Sequence, residues 1–138
     1  MGRIVALDYG KKRTGLAVSD PLKLIAGGLT TLTSNETIDF LKKYVAENEI
    51  DSFILGDPRQ MDYKPSENRE RVLKFKKKLQ QTFPNIEIQM IDERFTSYLA
   101  HQAMIQGGLK KKDRQNKALV DKLSATILLQ SFLEMRKI

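Results

Sequence analysis

Two short apolar runs near the N-terminus, joined by a basic turn, place the strongest constraint on how this chain folds. The first run, residues 4–7, ends on Asp8, and the second, residues 16–18, follows a turn that contains Gly10. Continuous apolar runs bounded by turn residues are typical of strands buried on both faces of a sheet. The sequence therefore predicts a hairpin of two central strands. Because a charge among buried residues is costly unless it is paired or bound to a metal, Asp8 is the first candidate functional residue.

Composition narrows the class of protein. A length of 138 residues favours one domain spanning residues 1–138, with a core that needs no covalent support. The absence of cysteine excludes disulfides and thiolate metal sites, and the single histidine, His101, argues against a Ser-His-Asp triad. No secretory leader or membrane-length apolar run is visible, so we expect a cytoplasmic protein with no membrane partner. The net charge of +7 favours an anionic partner, most commonly nucleic acid.

Apolar periodicity predicts further elements in the order β-β-β-α-β-α-β-α-α. The three strands after the hairpin cover residues 26–33, 52–56 and 86–91. The four helices cover residues 34–48, 65–83, 96 or 97 to 106, and 117–135. Thr33 and Glu36 have the spacing of a capping box, and Gly27 with Gly28 indicates a bend or bulge. This order predicts a mixed sheet flanked by helices, in an α/β or α+β domain.

Three carboxylates occupy positions where a merely solvated acid is not expected. Asp8 closes the first strand, Glu93 follows the fifth, and Asp121 shares a helix face with an apolar stripe. The stripe consists of Ala125, Leu128 and Phe132. Oxygen ligands on separate elements suit Mg²⁺, and two such ions can assist phosphodiester cleavage. Each acid also has an ordinary explanation: a turn cap for Asp8, a surface ion pair for Glu93 and a first-turn helix acid for Asp121.

Four segments resemble a known family. They are LDYGKKRTGLAVSD, ILGDPRQMD, IDERFTS and VDKLSATILLQSFL, in the order found in the YqgF family. That family comprises bacterial proteins described as Holliday junction resolvases and as nucleases that mature the 5′ end of pre-16S ribosomal RNA. The resemblance covers essentially the whole chain. It implies a ribonuclease H-like α/β fold, with a five-stranded mixed sheet flanked by helices, and a site in which Asp8, Glu93 and Asp121 are catalytic and hold Mg²⁺ or Mn²⁺.

The middle segments depart from the family pattern. Asp57 stands where an apolar residue is usual, and we consider it either an additional acid near the site or a cap. Met61 and Asp62 are followed by Tyr63 instead of the usual glycine, which leaves the shape of that loop open. Ser124 replaces the usual alanine, a small-for-small change on an inward face.

The expected activity is metal-dependent hydrolysis of nucleic-acid phosphodiester bonds. Maturation of pre-16S rRNA is the first choice, and resolution of four-way DNA junctions in recombination and repair is the alternative. A monomer or a homodimer is expected, since symmetric cutting of a junction calls for two copies. Basic residues near the acids in sequence are expected to bind substrate phosphates. They are Lys11, Lys12, Arg13, Arg94, Lys110, Lys111, Lys112 and Arg114.

Two other functional classes stay open. The pattern D-x-G-x-x-x-x-G at Asp8, Gly10 and Gly15 also resembles the phosphate-binding hairpin of actin-like ATPases and sugar kinases. Those enzymes need two domains that close on ATP, whereas this chain has the length of one. The other class is a non-catalytic nucleic-acid-binding accessory factor that keeps the fold. Such a factor would tolerate removal of the Asp8 carboxylate, and a nuclease would not.

Overall fold

A computed structural model describes residues 2–57, 67–92 and 117–136, without the side chains at positions 67, 68, 92, 117–121, 135 and 136. The strands are β1 (Arg3–Tyr9), β2 (Arg13–Ser19), β3 (Ala26–Thr33), β4 (Ile50–Asp57) and β5 (Glu87–Asp92). The helices are α1 (Thr37–Glu47), α2 (Glu67–Thr82) and α3 (Lys117–Arg136), with a short 3-10 turn, Ser34–Glu36, before α1. The helix predicted over 96–106 lies outside the described residues.

The five strands form one mixed sheet in the order β3-β2-β1-β4-β5. β1 pairs with β2 and β2 with β3 in antiparallel fashion, while β1, β4 and β5 run parallel. The predicted N-terminal hairpin and mixed sheet are therefore confirmed, with β1 as the central strand. Because β1, β4 and β5 are parallel, their C-terminal ends meet at one edge, which we call the carboxyl edge.

The two faces of the sheet are covered by different helices, and β1 is buried by both. Val5, Leu7 and Tyr9 pack on the face covered by α1 and α2, here the α1/α2 face. Ile4 and Ala6 pack on the opposite face, the α3 face. The helices contribute Ile38, Leu41, Val72, Phe75 and Leu79 to the first face and Ala125, Leu128, Leu129, Phe132 and Leu133 to the second. Burial from both sides explains why β1 is a continuous apolar run in the sequence.

Gly28 in β3 allows α3 to approach the sheet closely. The register between β2 and β3 shifts after the Leu16–Thr30 pair, so that Ala17 pairs with Gly28 and Leu29 is the extra residue. This confirms the predicted bulge. A Cβ on Gly28 would lie 3.0 Å from Cγ of Lys122, so a side chain here would press on α3.

The start of α1 differs from the predicted capping box. Thr33 makes no side-chain cap hydrogen bond. Instead Ser34 is buried, its hydroxyl donates to the carbonyl of Gly10, and it lies 3.0 Å from the Thr14 hydroxyl. A tertiary partner has thus replaced the local cap. No helix in the described part of the chain is long and apolar enough to cross a membrane.

Candidate active site

Asp8 lies at the carboxyl edge, on the α3 face. Side chains alternate along a strand, so Asp8 shares the face of Ile4 and Ala6 rather than that of Tyr9. Its partner on β2 is Gly15. On β4, Leu55 pairs with Leu7, so the next residue, Gly56, runs beside Asp8. Neither neighbouring strand therefore places a side chain directly beside the Asp8 carboxylate.

Asp57 lies at the same edge but on the opposite face. Phe53 and Leu55 of β4 pack on the α1/α2 face, and Asp57 follows in the same alternation. It is 6% exposed, and its Oδ1 accepts a hydrogen bond from Nε of Arg69 at 2.9 Å. Arg69 lies in the first turn of α2. Asp57 is thus the last residue of β4 and anchors α2 to the carboxyl edge, on the other side of the sheet from Asp8.

The predicted basic turn is held in a fixed position next to Asp8. The amide of Gly10 donates to the carbonyl of Arg13 at 2.9 Å, and the amide of Ser34 donates to the carbonyl of Lys12 at 3.0 Å. A Cβ on Gly10 would lie 2.7 Å from the Arg13 carbonyl oxygen, so the turn needs glycine. Lys11 and Lys12 are exposed and Arg13 is half-buried. Lys11 and Lys12 therefore project to solvent within a few residues of Asp8.

The basic turn also adjoins α2. The rings of Tyr9 and Phe75 stack with centroids 4.2 Å apart and planes 17° from parallel. Tyr9 directly precedes the turn, so this contact fixes the middle of α2 beside the end of β1. The Tyr9 and Asp8 side chains lie on opposite faces, and the carboxyl edge therefore has an acid on one side and an aromatic contact on the other.

The other predicted site residues are described only in part. Asp121 lies in α3, as predicted, and the burial of Ala125, Leu128 and Phe132 confirms the inward stripe. The Asp121 side chain, Glu93, Arg94 and the basic segment with Lys110, Lys111, Lys112 and Arg114 lie outside the described residues. Among the side chains that are described, no three His, Asp or Glu residues come together as metal ligands. The three-carboxylate site thus stays a prediction, and only its Asp8 part is defined in space.

Sequence reasoning did not find the ion pair of Asp57 and Arg69. The replacement of a usually apolar residue by Asp57 marked the position, but not its partner. Arg69 is one of several cations in α2, and only the register of β4 and the placement of α2 select it. The carboxylate donor set expected on the other face is of the hard, oxygen-only type that Mg²⁺ and Mn²⁺ prefer.

Comparison with known proteins extends over nearly the whole chain. The RuvX family, described as Holliday junction resolvase, matches residues 2–135. The chain is 58% identical to a protein of Azobacteroides pseudotrichonymphae over 97% of both chains, and 56% identical to one of Phocaeicola vulgatus over 99% of both. Both relatives are named "Putative pre-16S rRNA nuclease".

Among solved structures, T. thermophilus RuvC in complex with a Holliday junction substrate matches with a TM-score of 0.59. The match covers 99% of this chain and 96% of that one at 16% identity, and it confirms the ribonuclease H-like fold. On the strength of the family match and of relatives with more than half their residues identical, the chain belongs to the RuvX family.

Proposed function

We propose that this chain is a divalent-metal-dependent endonuclease that acts in maturation of the 5′ end of pre-16S rRNA. Family membership indicates a nuclease, a hydrolase of nucleic-acid phosphodiester bonds. The observation that carries the proposal is the position of Asp8: a carboxylate at the end of the central strand, with glycine beside it on both neighbouring strands. In this role Asp8, Glu93 and Asp121 hold one or two Mg²⁺ or Mn²⁺ ions.

Strand alternation supports the inclusion of Glu93. Ile91 of β5 packs on the α3 face, and residues two apart along a strand share a face. Glu93 is two residues further along the chain, so the alternation predicts it on the face that carries Asp8. The strand order puts only β4 between β1 and β5, and β4 has Gly56 next to Asp8.

The direction of α3 supports the inclusion of Asp121. At the end of the strands opposite the carboxyl edge, the amide of Ala26 donates to Oε1 of Gln130 at 3.4 Å. Nearer the carboxyl edge, Gly28 lies against Lys122. The helix therefore runs away from the carboxyl edge as residue numbers rise, and its N-terminal part is closest to that edge. Asp121 is in that part, one turn before the buried Ala125.

In the proposed chemistry, the metal and the protein side chains have different roles. Held by Asp8, Glu93 and Asp121, a Mg²⁺ or Mn²⁺ ion would supply a lowered pKa for water and positive charge against the scissile phosphate. The carboxylates fix the position of the ions, and the glycines at 15 and 56 leave access for the phosphodiester. Lys11 and Lys12 neutralise neighbouring backbone phosphates, which gives binding that weakens with salt and depends little on base sequence. As one domain over residues 1–138, the enzyme would work in the cytoplasm, where its substrate is made.

Resolution of Holliday junctions is the second candidate function. The description of the RuvX family and the fold shared with RuvC favour it. A resolvase that cuts two strands symmetrically needs two copies of its site related by a two-fold axis. A stable homodimer on a four-way junction would therefore favour this alternative.

Parallel cleavage assays test the proposal. The purified protein is given pre-16S rRNA with an extended 5′ end or a four-way DNA junction, with Mg²⁺, Mn²⁺ or EDTA. We expect RNA cleavage with metal, none with EDTA, and a loss of at least about 100-fold in Asp8→Asn. Asp57→Asn is the matched control, since it changes an acid at the same edge on the other face, and it should keep activity. Cleavage of the junction alone would favour the resolvase function. Binding of nucleic acid without any cleavage would favour the accessory factor. Cleavage by Asp8→Asn would contradict the proposed metal site.

A further inference from the structure

Helix α2 concentrates positive charge. Its 16 residues include six basic side chains, Arg69, Arg71, Lys74, Lys76, Lys77 and Lys78, against the acids Glu67 and Glu70. The resulting +4 is more than half of the +7 carried by the whole chain. Helix α1, on the same face of the sheet, carries two lysines and two acids and is neutral. Of the two helices that cover this face of the sheet, only α2 therefore carries an excess of positive charge.

The cations of α2 form a row on one flank of the helix. Val72, Phe75 and Leu79 are buried against the sheet, which fixes the orientation of α2. Arg71, Lys74 and Lys78 are spaced i, i+3 and i+7, and so lie on a common flank. We call these three residues the α2 row. Its first and last members are seven residues apart, or about 10 Å along the axis at 1.5 Å per residue.

The α2 row is directed to solvent and is not neutralised within the described part of the chain. Lys74 and Lys78 are exposed and Arg71 is half-buried. The salt bridges among described residues join Lys23 to Asp51 and Arg69 to Asp57, and none includes a member of the row. Arg69 is thus used to hold the helix in place. Within those same residues the three cations of the row have no such structural partner, and they are available to an external anion.

The row is connected to the candidate active site but lies on the other side of the sheet. The Asp57–Arg69 pair attaches the first turn of α2 to the carboxyl edge, and the Tyr9–Phe75 stack joins its middle to the basic turn. Asp8, however, is on the α3 face. A nucleic-acid segment cut at Asp8 therefore does not run along the α2 row, whereas a segment that continues across the carboxyl edge does.

We propose that the α2 row binds the phosphate backbone of a second segment of the nucleic-acid substrate, beyond the segment that is cut. The inference rests on the proposed nuclease function and extends it to substrates that are bent or branched at the site. Along the axis of a duplex, the phosphates of one strand advance by about 3.4 Å per nucleotide, so a row of about 10 Å that lies along this axis matches roughly three nucleotides. A membrane surface fits less well, because the apolar stripe of α2 is already buried in the core.

The test measures binding and not cleavage. Lys74→Gln/Lys78→Gln is compared with Lys42→Gln/Lys43→Gln, which removes two exposed charges from α1 on the same face of the sheet. Both are made together with Asp8→Asn, so that the substrate stays intact in the presence of Mg²⁺. Affinity is measured against salt for a short duplex covering only the cut and for a four-way junction or a long folded pre-16S RNA.

For the branched or long substrate, we expect the plot of log binding constant against log salt concentration to be less steep for the α2 variant. The magnitude of its slope should fall by about 1.8, at about 0.9 for each phosphate that is no longer neutralised. The α1 variant should leave the slope unchanged, and neither should alter binding of the short duplex. Equal changes in both variants would reveal an effect of net charge alone and would overturn the proposal, as would no change in either. Binding of acidic peptides with nucleic-acid binding unaffected would assign the row to a protein partner.

The outcome is independent of the cleavage test. If the parent protein cuts neither RNA nor DNA, the nuclease proposal fails, yet a reduced salt slope in the α2 variant would still locate a nucleic-acid surface. If the parent protein cleaves its substrate and the salt slopes of the α2 and α1 variants agree, only the α2 proposal fails. A thermal melt of both variants verifies folding, which these exposed substitutions should leave intact.

Discussion

Asp8 and Asp57, on the neighbouring parallel strands β1 and β4, lie on opposite faces of the sheet. Asp8 belongs to the α3 face, whereas Asp57 follows Phe53 and Leu55 on the α1/α2 face and binds Arg69. Two acids near the C-terminal ends of adjacent strands thus have different environments. Asp8 lies beside glycines on both neighbouring strands, whereas Asp57 is buried and holds a helix.

The Asp57–Arg69 pair should contribute to stability and little to catalysis. Asp57→Ala leaves the guanidinium without its 2.9 Å partner, and we expect a loss of about 1–3 kcal/mol in the free energy of unfolding. Arg69→Ala should cost a similar amount, and the double variant less than the sum of the two. Urea unfolding of the four proteins gives the coupling energy. Additive losses would mean that the two side chains act independently.

Ser34 should stabilise the basic turn. Ser34→Ala removes the partner of the buried Thr14 hydroxyl and of the Gly10 carbonyl, and we expect it to cost about 1–3 kcal/mol. Thr33→Val is the control, since it removes the hydroxyl of the predicted cap, which makes no cap bond, and should stay within about 0.5 kcal/mol. Thermal or urea unfolding measures both. A larger loss of stability in Thr33→Val would mean that Thr33 caps the helix after all, as the sequence predicted.

The two adjacent glycines of β3 should respond differently to a methyl group. Gly28→Ala brings a Cβ within 3.2 Å of the Lys122 side chain and of Oγ1 of Thr126, and the latter hydroxyl is held by a 2.8 Å bond to the Lys122 carbonyl. Crowding should cost about 1–3 kcal/mol. Gly27→Ala meets only the Val18 carbonyl oxygen at 3.8 Å, an ordinary contact, and should be near neutral. Equal losses would show that α3 is free to move away.

The loop after β2 should lose stability in acid. Oδ1 of Asp20 accepts the amides of Leu24 and Ile25 at 2.8 Å each. Chiefly the Ile25 bond holds the pKa of Asp20 below its ordinary value. A lowered folded-state pKa adds stability above the unfolded-state pKa, near 4, and this stability disappears as the pH falls through the folded-state value.

Asp20→Asn tests this dependence. The wild type should melt at a higher temperature than Asp20→Asn at pH 7, and the gap should close as the pH falls from about 5 to about 2. Thermal melts across that range measure the gap. A gap of constant size would mean that the side-chain shape, and not its charge, stabilises the loop.

Local pattern was sufficient to predict most of the framework. The apolar runs around Asp8 predicted the hairpin, and the spacing of Val72, Phe75 and Leu79 predicted the buried side of α2, because burial on a regular element leaves a regular trace. The same holds for the inward stripe of α3. These features depend on residues close together in the chain.

Features set by distant residues could not be predicted in the same way. The face on which Asp57 lies depends on the register of β4 against β1. The identity of its partner, Arg69, depends on where α2 packs. Thr33 has the sequence of a cap, but Ser34 is bound by Gly10 and Thr14 across 24 and 20 residues. For the site itself, sequence and family likeness named Asp8, Glu93 and Asp121. The structure defines the position of Asp8 alone, and the site role of all three residues stays a prediction.

The alternation along β1 makes the length of this strand as important as its composition. Insertion or deletion of a single residue in β1 before Asp8 would reverse the faces on which Asp8 and Tyr9 lie. The Asp8 carboxylate would then point to the α1/α2 face, and the Tyr9 phenol would point toward α3. A conservative substitution changes one contact, but such a frame change would disrupt both layers at once. We therefore expect natural variation in β1 to occur by replacement and hardly ever by gain or loss of a residue.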